Sequence, residues 1–282
     1  MTTVMRTLLI GIDSGTQSTK ALVVEARTGR VLGEAAARYD LIPNLPPGAK
    51  EQHPQTWRTA VIRAVRGALK RAHARAGEVV ALGVSGQQHG FVPLDRRGEV
   101  IRPAKLWCDT VTVAESDEIM ARLGGLRATL RKQGLAILPG YTASKILWLK
   151  RHEPRHYARL ATVLLPHDYL NFWLTGERVM EYGDASGTAL LNVRTRRRCA
   201  ATITAIDAAL MDKLPPLIPS DQPAGRLQPA AARELGLNPG ILVSAGGGDN
   251  TRFGVAGVLH DLSFVAGPLP ACVLHCHPNQ KQ

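Results

Sequence analysis

The chain has 282 residues, 45% of them hydrophobic and 21% charged, which suits one large globular domain or two smaller ones. Its 35 Lys and Arg against 23 Asp and Glu give a net charge of +12, yet the basic clusters at 71–75 and 194–198 carry no interleaved aromatic residues, so they read as a solvated basic surface with some pull on an anionic nucleotide, not as a nucleic-acid platform. No apolar run approaches the ~20 residues of a membrane span, no signal-peptide core precedes Gly11, and Cys108, Cys199, Cys272 and Cys276 lack the spacing of a disulfide framework; the expected setting is a reducing cytoplasm, with no membrane partner.

In chain order, Leu8–Asp13, Thr19–Glu25 and Val31–Tyr39 read as a β-meander, with a Thr-Gly turn before the third strand. Residues 54–74 have helical spacing, placing Trp57, Ala60, Val61, Ala64, Val65 and Ala68 on one stripe. A buried-type strand, Val79–Ser85, runs into a loop at Gly86–Gly90 and a further strand-like run at Phe91–Leu94. This β-β-β-α-β order is not a Rossmann βαβ repeat and fits an actin-like, ribonuclease H-like α/β sheet. Residues 143–174 read as mainly helical, broken at Pro154 and Pro166. Residues 184–191 read as a loop entering a packed strand, Pro215–Pro223 as a linker, 230–236 as a short helix closed by glycine, and Ile241–Ser244 as a strand running into Gly246–Asn250.

Four motifs carry chemistry. In GIDSGTQSTK, Gly11–Lys20, a strand ends at Asp13 and a glycine-containing hairpin follows. Its N–H groups, at Gly15 and around it, suit phosphate oxygens, the Thr16 and Ser18 hydroxyls add donors, and Asp13 suits Mg²⁺ held through water. An ordinary hairpin turn is the competing reading. In SGQQHG, Ser85–Gly90, Gln88 and His89 can donate to and accept from a polyol, or be plain loop residues. In KLWCDT, Lys105–Thr110, Trp107 suits a sugar face or a core, and Asp109 suits hydroxyl groups. In GGGDN, Gly246–Asn250, Asp249 at a strand-to-helix junction suits a general base for phosphoryl transfer, or a simple turn.

Together these motifs, with PGYTASKILWLKRHEP, LLPHDYLNFWLTGE and YGDASGT, resemble the FGGY carbohydrate kinases from Leu8 to about Val258, and most closely those acting on xylulose. The resemblance implies ATP and Mg²⁺ as cofactors and a sugar as substrate, with ribulose, gluconate or glycerol as rivals to xylulose and a non-catalytic sugar-binding remnant as a further alternative. It implies Asp249 as catalytic base, Asp13 near Mg²⁺ and the transferring phosphate, and Gly15, Thr16 and Ser18 as the first phosphate turn. Gln88, His89, Trp107, Asp109 and Asn250 would line the sugar, with Cys108 standing where relatives often have Asn. A homo-oligomer is left open.

The expected domain covers residues 1–260, with 261–282 as an atypical tail standing where the family places a second phosphate turn. From this the chain is expected to lack an adenine site and activity of its own, and to expose the apolar side chains of 241–244 and 253–258. The tail's Cys272, His275, Cys276 and His277 match no standard zinc spacing and read as chance residues.

Overall fold

A computed structural model describes residues 6–248. The strands β1 (Leu8–Ser14), β2 (Ser18–Glu25) and β3 (Val31–Arg38) form the antiparallel meander, within a residue or so of the bounds read from sequence. The two-residue strand β4 (Glu51–Gln52) leads into helix α1 (Pro54–Arg71), whose apolar stripe is fully buried on the meander. Strand β5 (Val79–Gly86) then pairs parallel to β1. Short strands β6 (Val92–Leu94) and β7 (Ala104–Lys105) follow.

The middle of the chain is helical: α2 (Val113–Arg122), α3 (Leu126–Gln133), α4 (Thr142–His152) and α5 (Pro154–Arg159). Strand β8 (Thr162–Leu164) pairs with β6 and interrupts the stretch read as purely helical; α6 (Pro166–Thr175) then begins at the predicted proline. Next come β9 (Met180–Glu181), α7 (Tyr182–Ser186), β10 (Leu191–Asn192), β11 (Arg197–Arg198) and α8 (Ala200–Ile206). The segment read as a proline linker holds β12 (Leu217–Ile218) and the start of β13 (Pro223–Arg226). The latter is an edge strand of the main sheet, where a proline at the first position costs no ladder bond. The chain then forms α9 (Pro229–Leu235), β14 (Leu242–Ser244) and β15 (Gly247–Gly248).

The main sheet has the order β13-β14-β5-β1-β2-β3, with β15 also on β5. Helices α1, α6 and α9 share the larger core cluster with the side chains Leu8, Ile10, Ile12, Leu82, Val84 and Val243 on one face of the sheet. The opposite face carries the smaller cluster of Leu9, Val24 and Ala81. Of the apolar side chains of 241–244 expected to be exposed, Leu242 is part-exposed, but Val243 is fully buried and Ile241 nearly so, because β14 lies inside the sheet between β13 and β5. Residues 253–258, the tail 261–282 and its Cys272, His275, Cys276 and His277 lie outside the described residues.

Candidate active site

Register brings the motifs to one end of the sheet. Asp13 on β1 lies beside Ser85 on β5, and Gly247 on β15 lies beside the same serine. Asp13 and the glycine run therefore flank one strand at its carboxyl end, about two strand spacings, or ~10 Å, apart. Open α/β sheets bind ligands at such ends. The Asp13 carboxyl is pushed up from its usual value by burial, with Lys20 across the β1–β2 pair opposing that shift.

The turn after Asp13 is held by its carbonyls. Gly15 O accepts from Tyr39 Oη at 2.6 Å and from Gln87 Nε2 at 3.1 Å, and Thr16 O accepts from Gln52 Nε2 at 2.8 Å. Gln52 in turn accepts from Trp57 Nε1 at 2.8 Å and from Gln87 at 3.1 Å. Gly15 N–H donates to Ser18 O at 3.0 Å, whereas the Thr16 and Gln17 N–H groups make no hydrogen bond among the described residues. A turn whose carbonyls are all drawn inward and whose amides are left over is suited to an anion. Among the described residues no group of three or more His, Cys, Asp or Glu is arranged for a metal ion. A Mg²⁺ at Asp13 would have to keep most of its waters, since no cage of described residues surrounds it.

Gln87, unremarked in the sequence, ties the Gly15–Ser18 turn to the next motif: it is fully buried and its N–H donates to Ser14 O at 3.2 Å. Gln88 and His89 follow, both part-exposed. A side chain at Gly248 would meet Gln88 Cγ at 2.4 Å and Asp184 Oδ1 at 3.0 Å, so the glycine run, the Gln88 loop and α7 converge there. His89 has a left-handed backbone, φ 55°. Its Nδ1 lies 2.7 Å from Gly187 O and its ring stacks on Tyr141 at 4.6 Å. A carbonyl can only accept, so Nδ1 carries the proton, and in the neutral ring Nε2 is an acceptor. Burial lowers the His89 pKa, and the bond to Gly187 and the Asp184 charge oppose it only in part.

KLWCDT departs from expectation at Asp109. Of the two readings for Trp107, core is set aside: it is 49% exposed, with Nε1 donating to Thr16 Oγ1 at 3.0 Å beside the Gly15–Ser18 turn. Asp109 is fully buried, and its carboxylate is already used by Lys50 N–H at 2.9 Å, Lys105 Nζ at 3.1 Å and Val111 N–H at 3.3 Å. It is an internal anchor in this structure, because the lysine four residues earlier points back at it. Lys105 also pairs with Glu51 at 3.0 Å and sits 3.9 Å over the Trp148 ring; Glu51 pairs with Arg102 at 2.8 Å. Asp249 and Asn250 lie outside the described residues.

Two further buried groups were missed. His167 Nδ1 lies 2.6 Å from Asp184 Oδ2, and its Nε2 is 3.1 Å from Asp168 Oδ1 without the alignment of a hydrogen bond. Burial pulls the His167 pKa down, but Asp168 and Asp184 outweigh it and hold it at about 9. This is a raised histidine, so its stabilising effect is complete below about 6.5, the ordinary value, and lost as pH rises through about 9. The stability gap between the native chain and His167→Gln, measured by urea denaturation, is expected to narrow across that window; a constant gap would count against an imidazolium at His167. The other missed group is Lys145 on α4, fully buried, its amine donating to His89 O at 2.7 Å and Gly140 O at 2.6 Å. A lysine amid Ala143, Ile146, Leu147 and Leu149 was the available signal.

Comparison with known proteins bears on the whole described region. A profile of the FGGY family of carbohydrate kinases, N-terminal domain, matches residues 8–257. The chain is 41% identical over 249 residues to the xylulose kinase of Haemophilus influenzae, covering 86% of this chain and 50% of that protein. A solved xyloylose kinase from Brucella ovis matches with a TM-score of 0.78 at 33% identity, over 87% of this chain and 49% of that one. A gluconate kinase from Lactobacillus acidophilus matches with a TM-score of 0.80 at 21% identity, over 88% and 49%, a likeness of fold alone. The chain thus spans about half the length of the relatives it matches. No described helix is long and apolar enough to cross a membrane.

Proposed function

Because the chain belongs to the FGGY family of carbohydrate kinases and has the actin-like α/β fold, we propose that it is the sugar-binding part, residues 1–260, of an enzyme transferring the γ-phosphoryl group of ATP to D-xylulose. The product is D-xylulose 5-phosphate. The observation that carries this reading is the convergence of three motifs on one sheet end: Asp13 and Gly247 on either side of Ser85, and Gln88 against Gly248.

The roles follow from the chemistry of these positions. The amides of Thr16 and Gln17, with the Thr16 and Ser18 hydroxyls and the turn at Gly15, receive phosphate oxygens. Asp13 would hold a hydrated Mg²⁺, which would supply charge neutralisation on the phosphates. Neutral His89 accepts from a sugar hydroxyl at Nε2, and Gln88 donates and accepts beside it. Trp107, exposed next to Thr16, lies where it can cover the sugar or phosphate as a flat apolar wall. Asn250, next to Asp249 in sequence, would contact the sugar. Asp249, following the converged glycine run, takes the proton of the attacking hydroxyl, which lets the oxygen meet the phosphorus as charge spreads onto the phosphoryl group. Asp109 supports the site from beneath through Lys50 and Lys105.

Joined to the C-terminal half of a xylulose kinase relative, the chain is expected to release ADP in the presence of D-xylulose and far less with D-ribulose, gluconate or glycerol. Asp249→Asn in that protein is expected to lower kcat at least ~10²-fold, the scale of a lost general base. A preference for gluconate or glycerol would replace the substrate assignment, and near-normal turnover of the Asn variant would remove Asp249 from the chemistry.

A further inference from the structure

His89 is held in an unusual way. A non-glycine residue at φ 55° is uncommon and persists where its surroundings over-determine it. The restraints here come from three directions: Gly187 O on the ring nitrogen, Tyr141 on the ring face, and Lys145 Nζ with Thr142 Oγ1 on the His89 carbonyl, at 2.7 and 3.2 Å. Lys145 also grips Gly140 O, the carbonyl just before Tyr141. One amine therefore fixes both the backbone of His89 and the turn that presses Tyr141 against its ring.

The cost of this arrangement argues that it is not a packing device. Lys145 is fully buried and forms no ion pair among the described residues; its two acceptors there are neutral carbonyls. A hydrophobic side chain of similar size would be more stable in such surroundings. The charged and titratable groups facing it are Asp109, Cys108 and Lys105 from the KLWCDT segment and the His89 ring itself, and Asp109 is shared with Lys105.

Resting on the sugar-kinase reading, we propose that Lys145 is a positioning residue of the sugar site: its buried amine clamps the His89 and Gly140 carbonyls, so that the neutral imidazole presents Nε2 to a sugar hydroxyl. Burial leaves the amine with a pKa of about 7, the Asp109 charge opposing only part of that fall. Below that value the clamp is charge-assisted and strong; above it the amine is neutral and weaker as a donor.

The test uses the full chain and Lys145→Met, with D-xylulose as the probe. The variant is expected to fold with a melting temperature no lower than the native chain, because it removes a buried charge. Its D-xylulose affinity by calorimetry is expected to fall about tenfold or more, the loss of a charge-assisted bond. In native NMR spectra the Gly90 and Tyr141 amides, which share peptide groups with the two clamped carbonyls, are expected to titrate together near pH 7; in the variant that titration disappears and the His89 HN–Hα coupling changes. A folded variant with native sugar affinity overturns the proposal. Should the variant fail to fold, native Gly90 and Tyr141 amides that do not titrate together overturn it. If the native chain binds no xylulose, the sugar reading falls by itself, while the amide titration and the His89 coupling still decide the clamp.

Discussion

Lys105→Met is expected to destabilise the chain by about 3–5 kcal/mol, the cost of breaking a buried ion pair by removing one partner. Lys105 is 1% exposed and lies between Glu51 and Asp109, themselves almost wholly buried. Methionine reproduces the stem but not the charge. Glu51 keeps Arg102, whereas among the described residues Asp109 keeps the Lys50 and Val111 amides. The loss reaches the turn at Gly15–Ser18, because Lys105 and Glu51 face each other in the β4–β7 pair and the next residue, Gln52, bonds Thr16 O. Urea denaturation of the two proteins measures it. A loss below about 1 kcal/mol, the value of an exposed pair, would mean that water already reaches this network.

Gly246→Ala is expected to cost roughly 2–5 kcal/mol, the sum of a left-handed backbone penalty and overpacking. Gly246 has φ 70°, and a Cβ there would stand 2.1 Å from Val84 O, a backbone atom of the central strand that cannot swing aside. Accommodating it means lifting β15 from β5, which also withdraws Gly248 from Gln88 and Asp184. Gly236→Ala is the control: φ is 74°, yet nothing lies within 4 Å, so only the backbone penalty of about 1–2 kcal/mol is expected. Equal losses in the two variants would show that the close approach of Gly246 to Val84 is absent in solution.

What the sequence revealed about the fold follows from how each feature is encoded. The meander and α1 were legible because their periodicity is local: alternating strands and a stripe at Trp57, Ala60, Val61, Ala64, Val65 and Ala68. Thr162–Leu164 escaped notice because three residues between two helices carry no period, and their partner, Val92–Leu94, is remote in sequence. Pro223–Arg226 was masked by neighbouring prolines, although an edge strand tolerates one at its first position. At the site, the motifs marked the right segments but not the direction of each side chain. Asp109 turns inward to Lys105, Trp107 turns outward to Thr16, and the buried Gln87 and Lys145 hold the turn and the loop from behind. Apart from Lys105, within the same motif as Asp109, those choices depend on partners 56 to 91 residues away, which no short motif records.

The strand order has a consequence for how the chain is made. Strand β5, at the middle of the sheet, receives β1 on one side early in synthesis, but its other neighbour, β14, places Leu242 beside Ala81. Until almost all of the described residues have been translated, Val79–Gly86 is an open edge of apolar residues, the kind of surface that pairs with other chains. Such distant pairing also closes slowly, since a long loop must be ordered before its contacts form. A nascent chain arrested short of residue 242 is therefore expected to stay bound to holding chaperones, and one extended past residue 248 to be released.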